Sequence, residues 1–171
     1  QWQRAQSLLD EMSGKRLVPQ VSSFNAAISA CEKEGQVHEA QLLLDQMRSQ
    51  GLSPDVISYN SAISACRQTS SWLQAQALLD EMCFFGLTPT IVSFNWVMFC
   101  CAKGLEWERA VSLLNRMRKQ GMKNAQSFSG VIDVCWRAGH WELALSIFND
   151  MRKEGLVPFP SNYFQVIDMY E

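Results

Sequence analysis

Met12 recurs at Met47, Met82, Met117 and Met151, in steps of 35, 35, 35 and 34 residues, and whole blocks of sequence move with it. A unit of this length makes two short helices that cannot bury their own apolar faces and must stack on their neighbours. The period therefore restricts the chain to a repeat array. It also places function on a surface assembled by stacking.

In register, the first halves of the repeats carry Phe24, Ala27, Ile28 and Cys31; Tyr59, Ala62, Ile63 and Cys66; Phe94, Val97, Met98 and Cys101; and Phe128, Val131, Ile132 and Cys135. Each set has the spacing i, i+3, i+4, i+7 of one helix face. Tyr163, Val166, Ile167 and Tyr170 begin a fifth set. The second halves repeat the spacing in Ala5, Leu8, Leu9 and Met12; Ala40, Leu43, Leu44 and Met47; Ala75, Leu78, Leu79 and Met82; Ala110, Leu113, Leu114 and Met117; and Ala144, Ile147, Phe148 and Met151. No useful length alternates with period two, so the expected fold class is all-α with no sheet.

The punctuation agrees. Gly51, Gly86, Gly121 and Gly155 follow the second helices, with Arg16 in the corresponding first place, and Pro19, Pro54, Pro89 and Pro158 come three residues later, where the helix cannot continue. Gly35, Gly104 and Gly139 mark the break inside three repeats; Ser70 and Ser71 occupy it in the other, where a serine can cap the next helix.

With 171 residues, 47% of them apolar, the chain can fill a continuous core, and its net charge of −2 gives no global attraction to nucleic acid. No apolar run is long enough to span a bilayer, so no membrane insertion is expected, and no signal peptide is visible. The chain opens at Gln1 within a repeat and closes at Glu171 within a helix. Leu8, Leu9, Val166 and Ile167 would then face outward at open ends, so a longer protein is expected on both sides.

Chemistry finds little support. Cys31, Cys66, Cys101 and Cys135 share one core slot, Cys83 and Cys100 are singletons, and no pair has C-x-x-C spacing, so packing is favoured over a metal site or a disulfide. Reduced thiols of this kind suit an intracellular compartment. His38 and His140 each open a second helix without a recurring carboxylate or nucleophile, and read as surface residues. Asp45, Asp80 and Asp150 read as a solvated outer face. Neither an enzyme nor a cofactor is expected.

One further face repeats on the first helices. It carries Ser22, Asn25, Ser29 and Lys33; Ile57, Asn60, Ser64 and Gln68; Val92, Asn95, Phe99 and Lys103; and Gln126, Ser129, Asp133 and Arg137. Stacking aligns these sets along one surface, with small polar groups near the helix starts and mostly cations near the ends. Asn can both donate to and accept from a base edge, and Lys33, Lys103 and Arg137 suit phosphates. The same residues also admit a local reading: Asn can bond nearby backbone, and a cation in a last turn is favoured by the helix dipole. Repetition of Asn25, Asn60 and Asn95 at one slot favours a ligand-facing stripe.

The strings Val21-Ser22-Ser23-Phe24-Asn25-Ala26-Ala27-Ile28 and Val56-Ile57-Ser58-Tyr59-Asn60-Ser61-Ala62-Ile63, followed by Ala-x-x-Leu-Leu-x-x-Met and Gly-Leu-x-Pro, resemble the pentatricopeptide repeat over essentially the whole chain. The tetratricopeptide repeat has a 34-residue period and lacks the recurrent aromatic-Asn pair. The resemblance implies a right-handed α-α superhelix, a solenoid of helix-turn-helix repeats. It divides the chain into the second helix of a partial repeat at 1–20, full repeats at 21–55, 56–90, 91–124 and 125–159, and the first helix of a partial repeat at 160–171.

It further implies binding of single-stranded RNA in parallel orientation, one base per repeat, usually in a mitochondrion or plastid. The residue after the first-helix aromatic and the last residue of the repeat would read each base: Asn25 with Asp55, Asn60 with Thr90, Asn95 with Asn124, and Ser129 with Phe159. Ser22, Ile57, Val92 and Gln126 occupy the base-packing slot, where Ile57 and Val92 have the suitable aliphatic character. By the family's rules, Asn with Asp reads uridine and Asn with Asn a pyrimidine, while Asn with Thr leans to a pyrimidine. Phe159 and Phe164 depart from the polar pattern, and repeat three is one residue short, so reading is expected mainly in the first three repeats.

Two functions of different class follow. One is an RNA-binding adaptor for pyrimidine-rich single strands, acting in organellar transcript processing, stabilisation or translation, with protein partners of an organellar ribonucleoprotein. The other is a structural scaffold subunit, for example of an organellar ribosome, that holds a protein or a folded RNA.

Overall fold

The computed structural model describes residues 1–15 and 17–169. Arg16, Tyr170 and Glu171, named above at a helix stop, in the fifth apolar set and at the chain end, lie outside the described residues, as does the Ser13 side chain. Among the described residues there are ten helices and no strand: α1 (Trp2–Gly14), α2 (Val21–Glu34), α3 (Val37–Ser49), α4 (Val56–Thr69), α5 (Trp72–Phe84), α6 (Ile91–Lys103), α7 (Trp107–Lys119), α8 (Ala125–Arg137), α9 (Trp141–Lys153) and α10 (Pro160–Asp168). None is long and apolar enough to cross a membrane.

The chain divides into two units, Gln1–Val97 and Met98–Glu171. In the first, α1 packs on α2, α2 on α3 and α4, α3 on α4, and α4 on α5. The contact of α2 with α4 sets consecutive first helices side by side, and it is this contact that can turn a sequence period into a surface. In the second, α7 packs on α8, α8 on α9, and α10 on both α8 and α9.

The apolar sets of the four full repeats are buried on both their helices, including Met47, Met82 and Met117 at 0% exposure. Helix propensity contributes little over 13 or 14 residues, so burial of these faces holds each helix in place. The terminal sets behave differently. Leu8 and Ile167 are exposed as expected, but Leu9 is buried and Val166 is half-buried, because α1 rests on α2 and α10 on α8 and α9. Tyr163 stays exposed and meets the Phe148 ring edge-on at 5.3 Å between centroids.

The second helices stop as the sequence indicates. After α3, left-handed Gly51 (φ 75°) lets the Leu52 N–H donate back to the Met47 carbonyl at 2.9 Å. Two breaks inside repeats differ from expectation. Leu105 (φ 57°), one residue past Gly104, takes the left-handed conformation after α6. Ser70 (φ 54°) closes α4 in the same way, and Ser71 at the start of α5 makes no side-chain cap.

Ion pairs link successive second helices. In the first unit Arg48 pairs with Asp45 on its own helix and with Glu81 on α5, donates to the Tyr59 hydroxyl at 2.9 Å, and lies 4.9 Å over the Phe85 ring. In the second, Arg118 pairs with Asp150 at 3.2 Å and with Glu154 at 2.7 Å. Asp45 and Asp80 are solvated as the sequence suggests, whereas half-buried Asp150 belongs to this linkage.

Candidate nucleic-acid interface

The first turn of each first helix sets the geometry of the stripe. Asp55 caps α4: its carboxylate accepts from the Ser58 backbone N–H at 2.8 Å, and its own N–H donates to Ser58 Oγ at 3.1 Å. This reciprocal arrangement satisfies two otherwise orphaned donors. Because α2 packs on α4, Asn25 reaches the same cap. Its Nδ2 donates to Asp55 Oδ1 at 3.2 Å, and its Oδ1 accepts from the Ser58 hydroxyl at 2.5 Å. Burial works to raise the Asp55 carboxyl, but the donations from the Ser58 N–H and from Asn25 outweigh it and hold the group below its ordinary value.

The second slot repeats this without a charge. Ser93 Oγ accepts from the Thr90 N–H at 3.0 Å and donates to Asn60 Oδ1 at 2.6 Å. In the second unit Asn124 caps α8 by accepting from the Ser127 N–H at 3.0 Å. Half-buried Asn95, its expected partner in reading, lies on α6 in the first unit. Sequence reasoning missed the serines at 58, 93 and 127. Their signal was present as the recurrent residue just before each core aromatic, three positions after the cap.

The fourth slot is wired differently. Asn162, at the serine position, accepts from the Phe159 N–H at 3.1 Å and donates to Ser129 Oγ at 2.9 Å. Its Nδ2 also lies 3.4 Å from Gln165 Oε1, and Gln165 Nε2 donates to Asp133 Oδ1 at 2.9 Å. Arg137 pairs with the other Asp133 oxygen at 3.0 Å and donates to the Ala102 carbonyl at 2.6 Å. Ser129, Asp133 and Arg137 are thus tied to their own unit. Arg137, expected on a phosphate, also braces α8 against the end of α6.

Other stripe residues fall as expected or are displaced. Ile57 and Val92 are exposed by 63% and 49%, which leaves aliphatic surface for a planar ring. Ser22, Gln126 and Lys33 are also exposed, and Lys103 lies with its ammonium 5.4 Å over the Phe99 ring. Ser64, expected on the open face, is buried. Gln68 turns back to cap the Lys33 carbonyl at 2.9 Å.

All six cysteines carry thiols. Burial pushes Cys31 and Cys135 up to about 11 and Cys101 to about 12, so these thiols hold their protons at neutral pH. His140 is exposed and stacks against Trp107 with centroids 4.0 Å apart. Among the described residues no group of three or more His, Cys, Asp or Glu side chains could hold a metal ion.

A model of the pentatricopeptide repeat family matches residues 19–68, and the single-repeat model matches 57–87, 92–122 and 126–156. Among solved structures, the maize pentatricopeptide repeat protein PPR10 aligns over 96% of this chain and 24% of its own length, at 25% identity and a TM-score of 0.86. The same protein in complex with an 18-nt psaJ RNA element aligns over the same shares, at 25% identity and a TM-score of 0.73. Nuclear proteinaceous RNase P 2 of A. thaliana aligns over 98% of this chain and 38% of its own, at 15% identity and a TM-score of 0.83, a likeness of fold alone. The chain thus has the α-α solenoid fold class and spans about a quarter of the length of the maize protein. No curated protein matches the sequence significantly.

Proposed function

The chain belongs to the pentatricopeptide repeat family, and we propose that it binds single-stranded RNA along its first-helix face, without chemistry of its own. The repeats at 21–55, 56–90, 91–124 and 125–159 act as base-sized modules. Asn25 with Asp55, Asn60 with Thr90, and Asn95 with Asn124 read successive bases, Ile57 and Val92 pack against them, and Lys33 and Lys103 meet phosphates. The preferred strand is pyrimidine-rich. Ser129 contributes least, since its partner position holds Phe159. The maize relative, solved with an RNA element, lends the reading its ligand class.

The observation that carries the reading is the approach of Asn25 to Asp55. Thirty residues apart in sequence, they lie within 3.2 Å, and together they offer an amide N–H beside a carboxylate. A uracil edge presents the complement, a carbonyl oxygen beside a ring N–H. Competition between short single strands tests it: U-Y-Y should bind better than A-A-A. By the family's rules Asn25→Thr with Asp55 retained moves the preference at that base from U towards G, at a loss of about 1 to 3 kcal/mol for U. Equal binding of both strands overturns base reading.

The scaffold reading has one observation in its favour. The wiring from Ser129 through Asn162, Gln165 and Asp133 to Arg137 satisfies the stripe of the fourth repeat internally, as a face retired from base reading would be. The family resemblance favours a mitochondrion or plastid as the compartment, and a fluorescent fusion of the full-length protein tests this by its location.

A further inference from the structure

We propose that Ser58 and Ser93 are positioning residues: each fixes which way the asparagine amide of the preceding repeat faces, and so sets the hydrogen-bonding polarity offered to a base. The proposal rests on the base-reading function and adds to it the group that makes the reading unambiguous.

An asparagine amide is almost symmetric in shape, and half a turn of its last torsion exchanges donor for acceptor. An unpinned Asn25 could therefore satisfy either a carbonyl or an amino group on a base. The polarity of the contact has to come from a neighbour whose own polarity is fixed.

Two neighbours supply it at Asn25: the Asp55 carboxylate, which can only accept and draws Nδ2 at 3.2 Å, and a backbone N–H, which can only donate and fixes the oxygen end through Ser58. The Asp55 N–H donates to Ser58 Oγ at 3.1 Å, which fills one lone pair and leaves the single hydroxyl proton to be placed. Two acceptors lie within reach, Asn25 Oδ1 at 2.5 Å and Asp55 Oδ1 at 2.9 Å. The shorter approach is to the amide, and Asp55 Oδ1 already accepts from the Ser58 N–H at 2.8 Å. The relay thus runs one way, from backbone N–H to serine hydroxyl to amide oxygen. The amide oxygen is turned to Ser58, one N–H is spent on Asp55, and the second N–H of Asn25 is left to serve a base.

The same relay recurs at the next slot. The Thr90 N–H donates to Ser93 Oγ at 3.0 Å, and Ser93 Oγ donates to Asn60 Oδ1 at 2.6 Å. Ser58 and Ser93 are both fully buried, so water cannot easily replace either hydroxyl. In the fourth slot Asn162 replaces the serine, and the Phe159 N–H fixes Asn162 Oδ1 so that Nδ2 donates to Ser129 Oγ. Both forms share one rule: the following repeat donates, and the reading residue gives up an oxygen.

For Asn25 and Asp55 the result is a donor beside an acceptor. Uracil meets this with a carbonyl and the N3 hydrogen. Cytosine places a donor amino group where uracil has its O4 carbonyl, facing the Asn25 N–H that the relay holds towards the base, and its bare N3 lone pair repels the carboxylate as well. The relay therefore discriminates between two pyrimidines of equal size.

The test compares wild type, Ser58→Ala, Ser58→Thr and Ser93→Ala in the intact protein. Fluorescence anisotropy gives affinities for single strands with U or C at the base facing Asn25 and Asp55, and separately at the base facing Asn60 and Thr90; circular dichroism confirms that each variant is folded. Wild type should prefer U at the first base by about tenfold, within the range of one good side-chain contact. Ser58→Ala should reduce that ratio to about twofold or less while leaving the ratio at the second base unchanged, and Ser58→Thr, which keeps the hydroxyl, should retain it. Ser93→Ala should lower only whatever preference the second base shows. Loss of a purely structural serine would weaken binding of all strands alike and leave the ratios intact. A first-base ratio unchanged in Ser58→Ala, an equal fall at both bases, or loss in Ser58→Thr overturns the relay while base reading survives. A wild type without preference at either base overturns base reading and the relay together.

Discussion

Leu79 is fully buried on the inner face of α5, and Leu79→Ala should lower unfolding stability by about 2 to 5 kcal/mol. Chemical denaturation measures this, and a near-neutral shift would mean that the buried face is misplaced. Alkylation rates offer an independent check on burial. Cys83 is half-buried, whereas the other five cysteines are buried, so Cys83 should be labelled first by a thiol reagent, with the rest following only on unfolding. Mass spectrometry of partly labelled protein shows the order. The core was legible residue by residue because a helix face repeats at i, i+3, i+4 and i+7, and burial follows the face. The partners of Asn25 were not, since a hydrogen bond from Ser58 across 33 residues exists only once α2 and α4 lie together. Ser58 carried no sign of its role apart from its recurrence. The second role of Arg137 was hidden for the same reason: its last-turn position suited a phosphate, but the Ala102 carbonyl that it also caps comes from another helix.

At the scale of elements, caps divide the helices into two kinds. α4 and α8 begin with side-chain caps at Asp55 and Asn124, whereas α3, α5, α7 and α9 have none and depend on packing. Asp55→Ala should therefore cost about 0.5 to 2 kcal/mol, and Ser71→Ala, at the start of α5, close to nothing. The Asp55 contribution has a definite pH dependence. Its folded value lies below the ordinary 3.8, so the stabilisation is complete above that pH and disappears as pH falls through the lower folded value. The gap between wild type and Asp55→Ala, followed by denaturation from pH 7 into acid, should close only in that window. Turns differ in the same way. Gly35 (φ 66°) would place an added Cβ 2.8 Å from Gln68 Cβ of the next first helix, whereas Gly51 (φ 75°) has nothing within 4 Å. Both changes to Ala strain the backbone by about 1 kcal/mol, and Gly35→Ala should cost measurably more because Gln68 must also move. The stops after the second helices were legible from glycine and proline. The left-handed Leu105 was not, because Gly104 beside it looked the better candidate.

For the whole molecule, a net charge of −2 leaves RNA affinity to local cations on the first-helix face. Lys33→Ala and Lys103→Ala should each reduce the slope of log affinity against log salt by about 0.7 on a single strand, equally for every sequence. Arg137→Ala should change the slope less, since its guanidinium is engaged by Asp133 and the Ala102 carbonyl, and should lower stability instead. Titrations at several salt concentrations separate the three. The most direct measurement of the central claim is a crosslinking map of a bound pyrimidine-rich single strand carrying 4-thiouridine, read by peptide mass spectrometry. Adducts should fall on the first turns of α2, α4 and α6, around Asn25, Ile57 to Asn60, and Val92 to Asn95. Adducts confined to the second helices α3, α5, α7 and α9, or none above a denatured control, would contradict an RNA-reading face.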